Sequence, residues 1–256
     1  MADEELWRRR FQMFLLVRLL GLATFLLGIA IGYTDLVREG GWSVELDGRP
    51  IRTPARDLLV VPTEGLAQAI AGEWSSVDDR VDPRAMPLTG LANAAIDRVA
   101  PDKAIFAAGL AKYAEADLAC YRADTPRKLV ERQAEQWDAL LSWARRRFDV
   151  DFVTTRGITH VQQPQATIDR LSHAVAALDP FRLAGLSPLI TTGGSLIAAL
   201  AVLEGGYTPE QAWEAVSLDD RWQLEQWGAD EEAETALENR LADFMAAARF
   251  LQLLNC

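Results

Sequence analysis

At 256 residues, half of them apolar, the chain has enough material for one large domain or two modest ones with a real core. A formal net charge of −11 repels phosphate backbones and argues against nucleic acid as a partner. Cys120 and Cys256 lack CxxC or Cys/His spacing and read as reduced thiols, while His160 and His173 form no paired-ligand motif, so no metal or redox centre is expected.

The first distinct segment is residues 11–33, FQMFLLVRLLGLATFLLGIAIGY. It is almost wholly apolar and long enough to cross a bilayer of roughly 30 Å at about 1.5 Å per residue, which predicts a transmembrane helix. Arg18 can snorkel toward Arg8, Arg9 and Arg10. That basic triplet predicts an N-in orientation, with everything after Gly40 outside the cytoplasm. A buried hairpin or core helix is the competing reading, and a cleaved signal peptide fits less well because Ile31-Gly32-Tyr33 lacks the small-residue pattern. Residues 1–40 are therefore set apart.

In WSVELDGRPIRTPARDLLVV, from Trp42 to Val61, WSVEL alternates apolar and polar residues and Asp47-Gly48 supplies a turn. A β-hairpin follows, with Leu58 to Val61 as a third short strand and Pro50 and Pro54 at edges or strand ends. Thr63-Glu64 then signals a helix start, and Leu66, Ile70 and Trp74 form one apolar face.

A second helix carries Leu88, Leu91, Ala95 and Ile96, and a third runs from Ile105 to Ala116. Thr125-Pro126 opens a longer one through Leu129, Trp137, Leu140, Leu141 and Phe148, closed by Arg145, Arg146 and Arg147 as a solvated basic end. A brief strand is expected at Val150 to Thr155 and a helix from Pro164 to Leu178. The stretch from Leu183 to Leu203 reads as core helix, because Pro188, Thr191, Thr192, Gly193 and Gly194 leave too few continuous apolar residues to span a bilayer. Thr208-Pro209-Glu210 starts a further helix bearing Trp213 and Val216.

Between Glu204 and Asp243 the chain holds twelve acids against Arg221 and Arg240 alone. A helical surface so charged predicts a protein partner whose binding weakens as salt rises. The whole is α+β: a β-rich N-terminal domain over residues 41–85, then a mainly helical domain over 86–256.

Catalytic motifs are missing. Gly193-Gly194-Ser195 is no GxSxG elbow, no phosphate-binding glycine loop occurs, and the run Asp230-Glu231-Glu232 looks too solvated to shift a carboxyl pKa. A hydrolase would need Ser195 in a closed pocket beside His160 or His173.

Several motifs stand in a distinctive order: LDGRPIRTP from Leu46, VVPT from Val60, AGEW from Ala71, LTGLANAAID from Leu88, LDDRWQLEQWGADEEA from Leu218 and AARFLQLL from Ala247. Together they resemble the family of assembly chaperones that attend the α subunit of the F1 ATP synthase, over about Gly40 to Leu254. The resemblance implies a non-enzymatic chaperone, without cofactor or metal, that shields unassembled α subunit until β subunit takes its place. It also implies a partner-binding residue at Asp219, with Asp220, Trp222, Gln223, Glu225 and Trp227 around it and Asp230 and Glu231 following. Read from the residues, Trp222 and Trp227 are as well explained by core packing, and Asp219 by a helix N-cap or an exposed charge. Taken as an exposed helix start, Asp219→Lys should cost the fold about 1 kcal/mol or less.

The departure is at the start, where the apolar segment stands in place of the family's first strand and leaves a sheet edge unpaired. F1 assembles on the cytoplasmic or matrix side, so the expected location is cytoplasmic, with residues 11–33 offering membrane contact. Either that helix inserts opposite to the basic-residue rule, or the segment is a fusion or a mispredicted start. The alternative function is a membrane-anchored adaptor for an unrelated partner.

Overall fold

Thr63 shows how locally the helices are specified. It sits in extended backbone and its hydroxyl accepts from the Leu66 amide, starting α1 (Glu64–Ser75) where the sequence places a cap, with Leu66 and Ile70 fully buried. The structure is a computed structural model that describes residues 31–32, 41–46, 48–77, 80–157, 159–228 and 231–255.

The strands are short. β1 (Ile31–Gly32), β3 (Glu45–Leu46) and β4 (Arg49–Pro50) form one antiparallel sheet with β3 in the middle, and β2 (Trp42–Ser43) pairs antiparallel with β5 (Val60–Val61). Gly48, at φ 72°, provides the left-handed residue the β3–β4 turn needs, and Pro50 falls on the edge strand β4. The expectation of a missing first strand is corrected: Ile31 and Gly32 pair with Leu46 and Glu45, so the end of the apolar segment is strand and not membrane helix. Residues 11–30 of that predicted span lie outside the described residues. Among the described residues, no helix is long and apolar enough to cross a membrane.

Next come α2 (Pro87–Ala94), prolonged by a π turn at Ala95–Val99, and α3 (Lys103–Ala111), prolonged by a 3-10 turn at Lys112–Ala114. α3 starts before its expected Ile105, which is itself well exposed. α4 (Arg127–Phe148) buries Gln133, Trp137, Leu140, Leu141 and Ala144 along one stripe. The brief strand falls later than expected: β7 (Thr155–Arg156) pairs parallel with β6 (Tyr121–Arg122). Ahead of it, the Gln163 side chain accepts from the Val153 amide and donates to the Val153 carbonyl, taking the place a neighbouring strand would occupy.

α5 (Gln165–Ala176) precedes α6 (Pro180–Gly193) and α7 (Leu196–Leu203), into which the expected core helix divides. The break is local: Gly194 turns left-handed at φ 67° and Ser195 caps α7 through the Ala198 amide. α8 (Pro209–Val216) opens with a complete capping box between Thr208 and Gln211. α9 (Leu218–Trp227) and α10 (Glu231–Leu253) finish the chain.

One continuous core joins Val44, Leu59 and Val61 of the strand region to Leu66 and Ile70 of α1 and to Leu186, Ile197 and Phe244 of the later helices. α10 packs along α6 and returns to the beginning of the fold, where the Thr63 hydroxyl donates to the Leu253 carbonyl at 2.7 Å.

Candidate partner-binding site

α9 is the element on which the sequence-predicted site residues converge, and two ion pairs hold it. Arg132 of α4 reaches both Glu225 oxygens, at 2.9 and 2.7 Å, while its guanidinium lies 4.9 Å from the centre of the Trp222 ring. On the other side Arg240 of α10 pairs with Asp220 at 2.8 Å and donates to the Thr192 carbonyl. Glu225 and Asp220 are therefore partnered within the fold.

The two tryptophans part company. Trp222 is buried with Leu218, four residues before it, whereas Trp227 is 81 % exposed. Five positions at about 100° each put them on different faces. Core packing accounts for Trp222 and fails for Trp227.

Asp219 is not the N-cap. That position is Ser217, whose hydroxyl donates to the Trp213 carbonyl, and Asp219 sits half-buried in the first turn. Its carboxylate accepts from Gln133 Nε2 at 2.8 Å. Gln133 is itself buried, and its Oε1 accepts from the Ala123 amide, which fixes which end of the side chain faces Asp219. Burial raises the Asp219 carboxyl above its ordinary pKa, the Gln133 hydrogen bond partly offsets this, and the neighbouring Asp220 charge adds to it. Asp219→Lys is thus not the mild surface change expected from sequence, because it would set an ammonium against the Gln133 amide donors.

Grooves flank Trp227 on both sides. One, of about 460 Å³, runs between β6, α4 and α9, with Leu118, Tyr121, Pro126, Leu129 and Trp222 among its walls and Asp219 in its lining. The other, of about 420 Å³, lies between α9 and α10 over Leu224, Ala233, Ala236 and Leu237. Trp227 and Gln223, which is exposed, border both. Glu231 is exposed at the start of α10, and Asp230 lies outside the described residues.

Sequence reading missed Arg122, Arg132 and Gln133. Arg122 donates to the Ala119 and Gln133 carbonyls, pairs with Asp138 at 2.7 Å and stacks over Trp137, so it braces the groove floor. The available signal was Gln133 itself, a polar residue four before Trp137 on the apolar stripe of α4.

The hydrolase reading does not survive the geometry. Ser195 is buried, donates to Asp117 at 2.8 Å and accepts from the Ala198 amide, while His160 bonds to the Tyr121 hydroxyl and His173 to the Asp169 carbonyl. Asp117 is wholly buried, and that burial pushes its carboxyl up to about 6 despite hydrogen bonds from Ile197, Ala119 and Ser195. Burial, then the Asp117 charge, pushes the Cys120 thiol up to about 12, which makes it unreactive. Among the described residues, no three His, Cys, Asp or Glu side chains group closely enough to hold a metal.

The family model described as ATP12 chaperone protein matches residues 30–145. The mitochondrial protein atp12 of Schizosaccharomyces pombe is 27% identical over 233 residues, covering 84% of this chain and 80% of that protein. The crystal structure of Atp12 from Paracoccus denitrificans is similar with a TM-score of 0.82 at 44% identity, covering 88% of this chain and 95% of that one. An aspartate-to-lysine mutant of the same bacterium's Atp12p gives 0.83 at the same identity and coverage.

Proposed function

The chain belongs to the ATP12 chaperone family of F1 ATP synthase assembly factors, and from that premise we propose that it holds the unassembled α subunit against the grooves beside α9. The observation that carries this reading is Trp227. A tryptophan left 81 % exposed between two partly apolar grooves forgoes the burial that tryptophan usually finds, and such a residue becomes a binding anchor once a partner covers it. On this reading the protein acts by covering surface and not by catalysis. It works on the side of the membrane where F1 is assembled. Asp219, Gln223 and Glu231 supply the polar part of the contact, while Asp220, Trp222 and Glu225 fix the shape of α9.

Trp227→Ala tests it. Capture of purified α subunit from the same host should fall by about thirty-fold, the equivalent of roughly 2 kcal/mol for a central aromatic anchor. The thermal melt should not change, since the ring supports little of the fold. Undiminished capture would remove α9 from the interface, and capture of no α subunit by the unaltered chain would favour an adaptor with another partner.

A further inference from the structure

α9 ends on the exposed Trp227, and little of the core reaches that end. The helix buries Leu218 and Trp222, and beyond Trp222 only Leu224 is part-buried. Among the described residues, the polar link from residues 223–227 to another helix is the one made by Arg132 of α4. Glu225 stands three residues after Trp222, so one face of α9 carries both. A single guanidinium serves them, donating to the Glu225 oxygens at 2.9 and 2.7 Å with its centre 4.9 Å from the middle of the Trp222 ring. The next residue of α4, Gln133, is buried and bonded to Asp219 and to the Ala123 amide, which fixes the backbone from which Arg132 reaches.

We propose that Arg132 is a positioning residue for the client contact: by gripping Glu225 and Trp222 it sets the last turn of α9, and thereby where Trp227 stands between the two grooves. This deepens the α-subunit reading and rests on it. Neither Arg132 nor Glu225 lines either groove, so the pair works through α9 and not on the client. Both side chains are about half exposed, and an exposed ion pair adds little to global stability. Its effect is local. A helix end with scant core contact opens at low cost, and a client that must first order it binds with an affinity reduced by the fraction already in place. The clamp on the opposite side, Arg240–Asp220, grips the first turn of α9 and leaves the last to Arg132.

The test compares the affinities of full-length chains for purified α subunit, with thermal melts and hydrogen exchange of the α9 amides measured on the chains alone. Arg132→Met keeps an apolar stem against Trp222 and removes the charge, while Glu225→Gln leaves Arg132 on Trp222 and removes its ionic partner. Each should weaken binding by about five-fold, quicken exchange at Glu225, Gln226 and Trp227, and leave the melt in place. Exchanging the charges, Arg132→Glu with Glu225→Arg, should restore slow exchange and most of the affinity. With Trp227→Ala already present, Arg132→Met should cost little further, because the side chain whose place it sets is gone. The proposal is overturned if Arg132→Met and Glu225→Gln bind as tightly as the unaltered chain, or if their loss adds in full to that of Trp227→Ala. A wild-type chain that captures no α subunit overturns the client reading and this proposal with it, whereas capture undiminished by these two substitutions overturns this proposal alone.

Discussion

Asp117 joins segments far apart in the chain through one carboxylate. It accepts from the amides of Ala119 and Ile197 and from the Ser195 hydroxyl, so the 3-10 turn at Leu118–Cys120 and the start of α7 share a single buried acceptor. Complete burial moves its carboxyl from the ordinary 3.8 to about 6. The folded protein then binds this proton more tightly than the unfolded chain does. The stabilising contribution is therefore full below the unfolded value and is lost as pH rises through about 6. A displacement from 3.8 to about 6 corresponds to roughly 3 kcal/mol, at about 1.4 kcal/mol per pH unit. Asp117→Asn cannot titrate. Its stability relative to wild type should improve by up to that amount between pH values below the unfolded pKa and neutrality, as measured by denaturant unfolding at both. A difference that stays constant with pH would show that Asp117 is not protonated in this range.

At the scale of elements, the helices are fastened to one another by their ends. α2 has no side-chain cap of its own, since Met86 offers none. The carboxylate of Glu73, near the end of α1, accepts from the amides of Leu88 and Thr89 and from the Thr89 hydroxyl at 2.7 to 2.8 Å. Asp97, in the π turn that prolongs α2, in turn accepts from the Ala55 amide and ties the turn after β4. Glu73→Ala should therefore cost about 1–3 kcal/mol, because part-buried donors lose their acceptor, and hydrogen exchange at Leu88 and Thr89 should quicken. Unaltered exchange at those amides would mean that water replaces the carboxylate at no cost. The AGEW motif thus carries a cap supplied across a helix pair, which no local spacing rule contains.

For the molecule as a whole, the first strand and the last helix close the same region. β1 pairs with β3 and touches α1, and Leu253 near the end of α10 accepts from Thr63 at the head of α1. Deleting residues 1–40 would remove β1 and strip β3 of a neighbour. A chain beginning at residue 30, where the family match begins, should melt with the full chain, and one beginning at 41 should melt lower. Equal melts for both would show that β1 adds nothing to stability.

Features that depend on near neighbours are legible in the amino-acid order alone. The caps at Thr63 and Thr208, the left-handed Gly48 and the apolar stripe through Trp137, Leu140 and Leu141 follow from residues within a turn or two of one another, where steric and hydrogen-bonding rules act directly. The amino-acid order also carries the motif series that identified the family. Long-range packing sets the rest: Trp222 goes inward and Trp227 outward, Asp220 and Glu225 are paired within the fold, and Asp219 meets Gln133 from 86 residues away. Periodicity states which face of a helix is apolar but not which helix will cover it. The burial and charge pairing of α9 are set by α4 and α10 packing against it, and those contacts exist only once the chain has closed on itself.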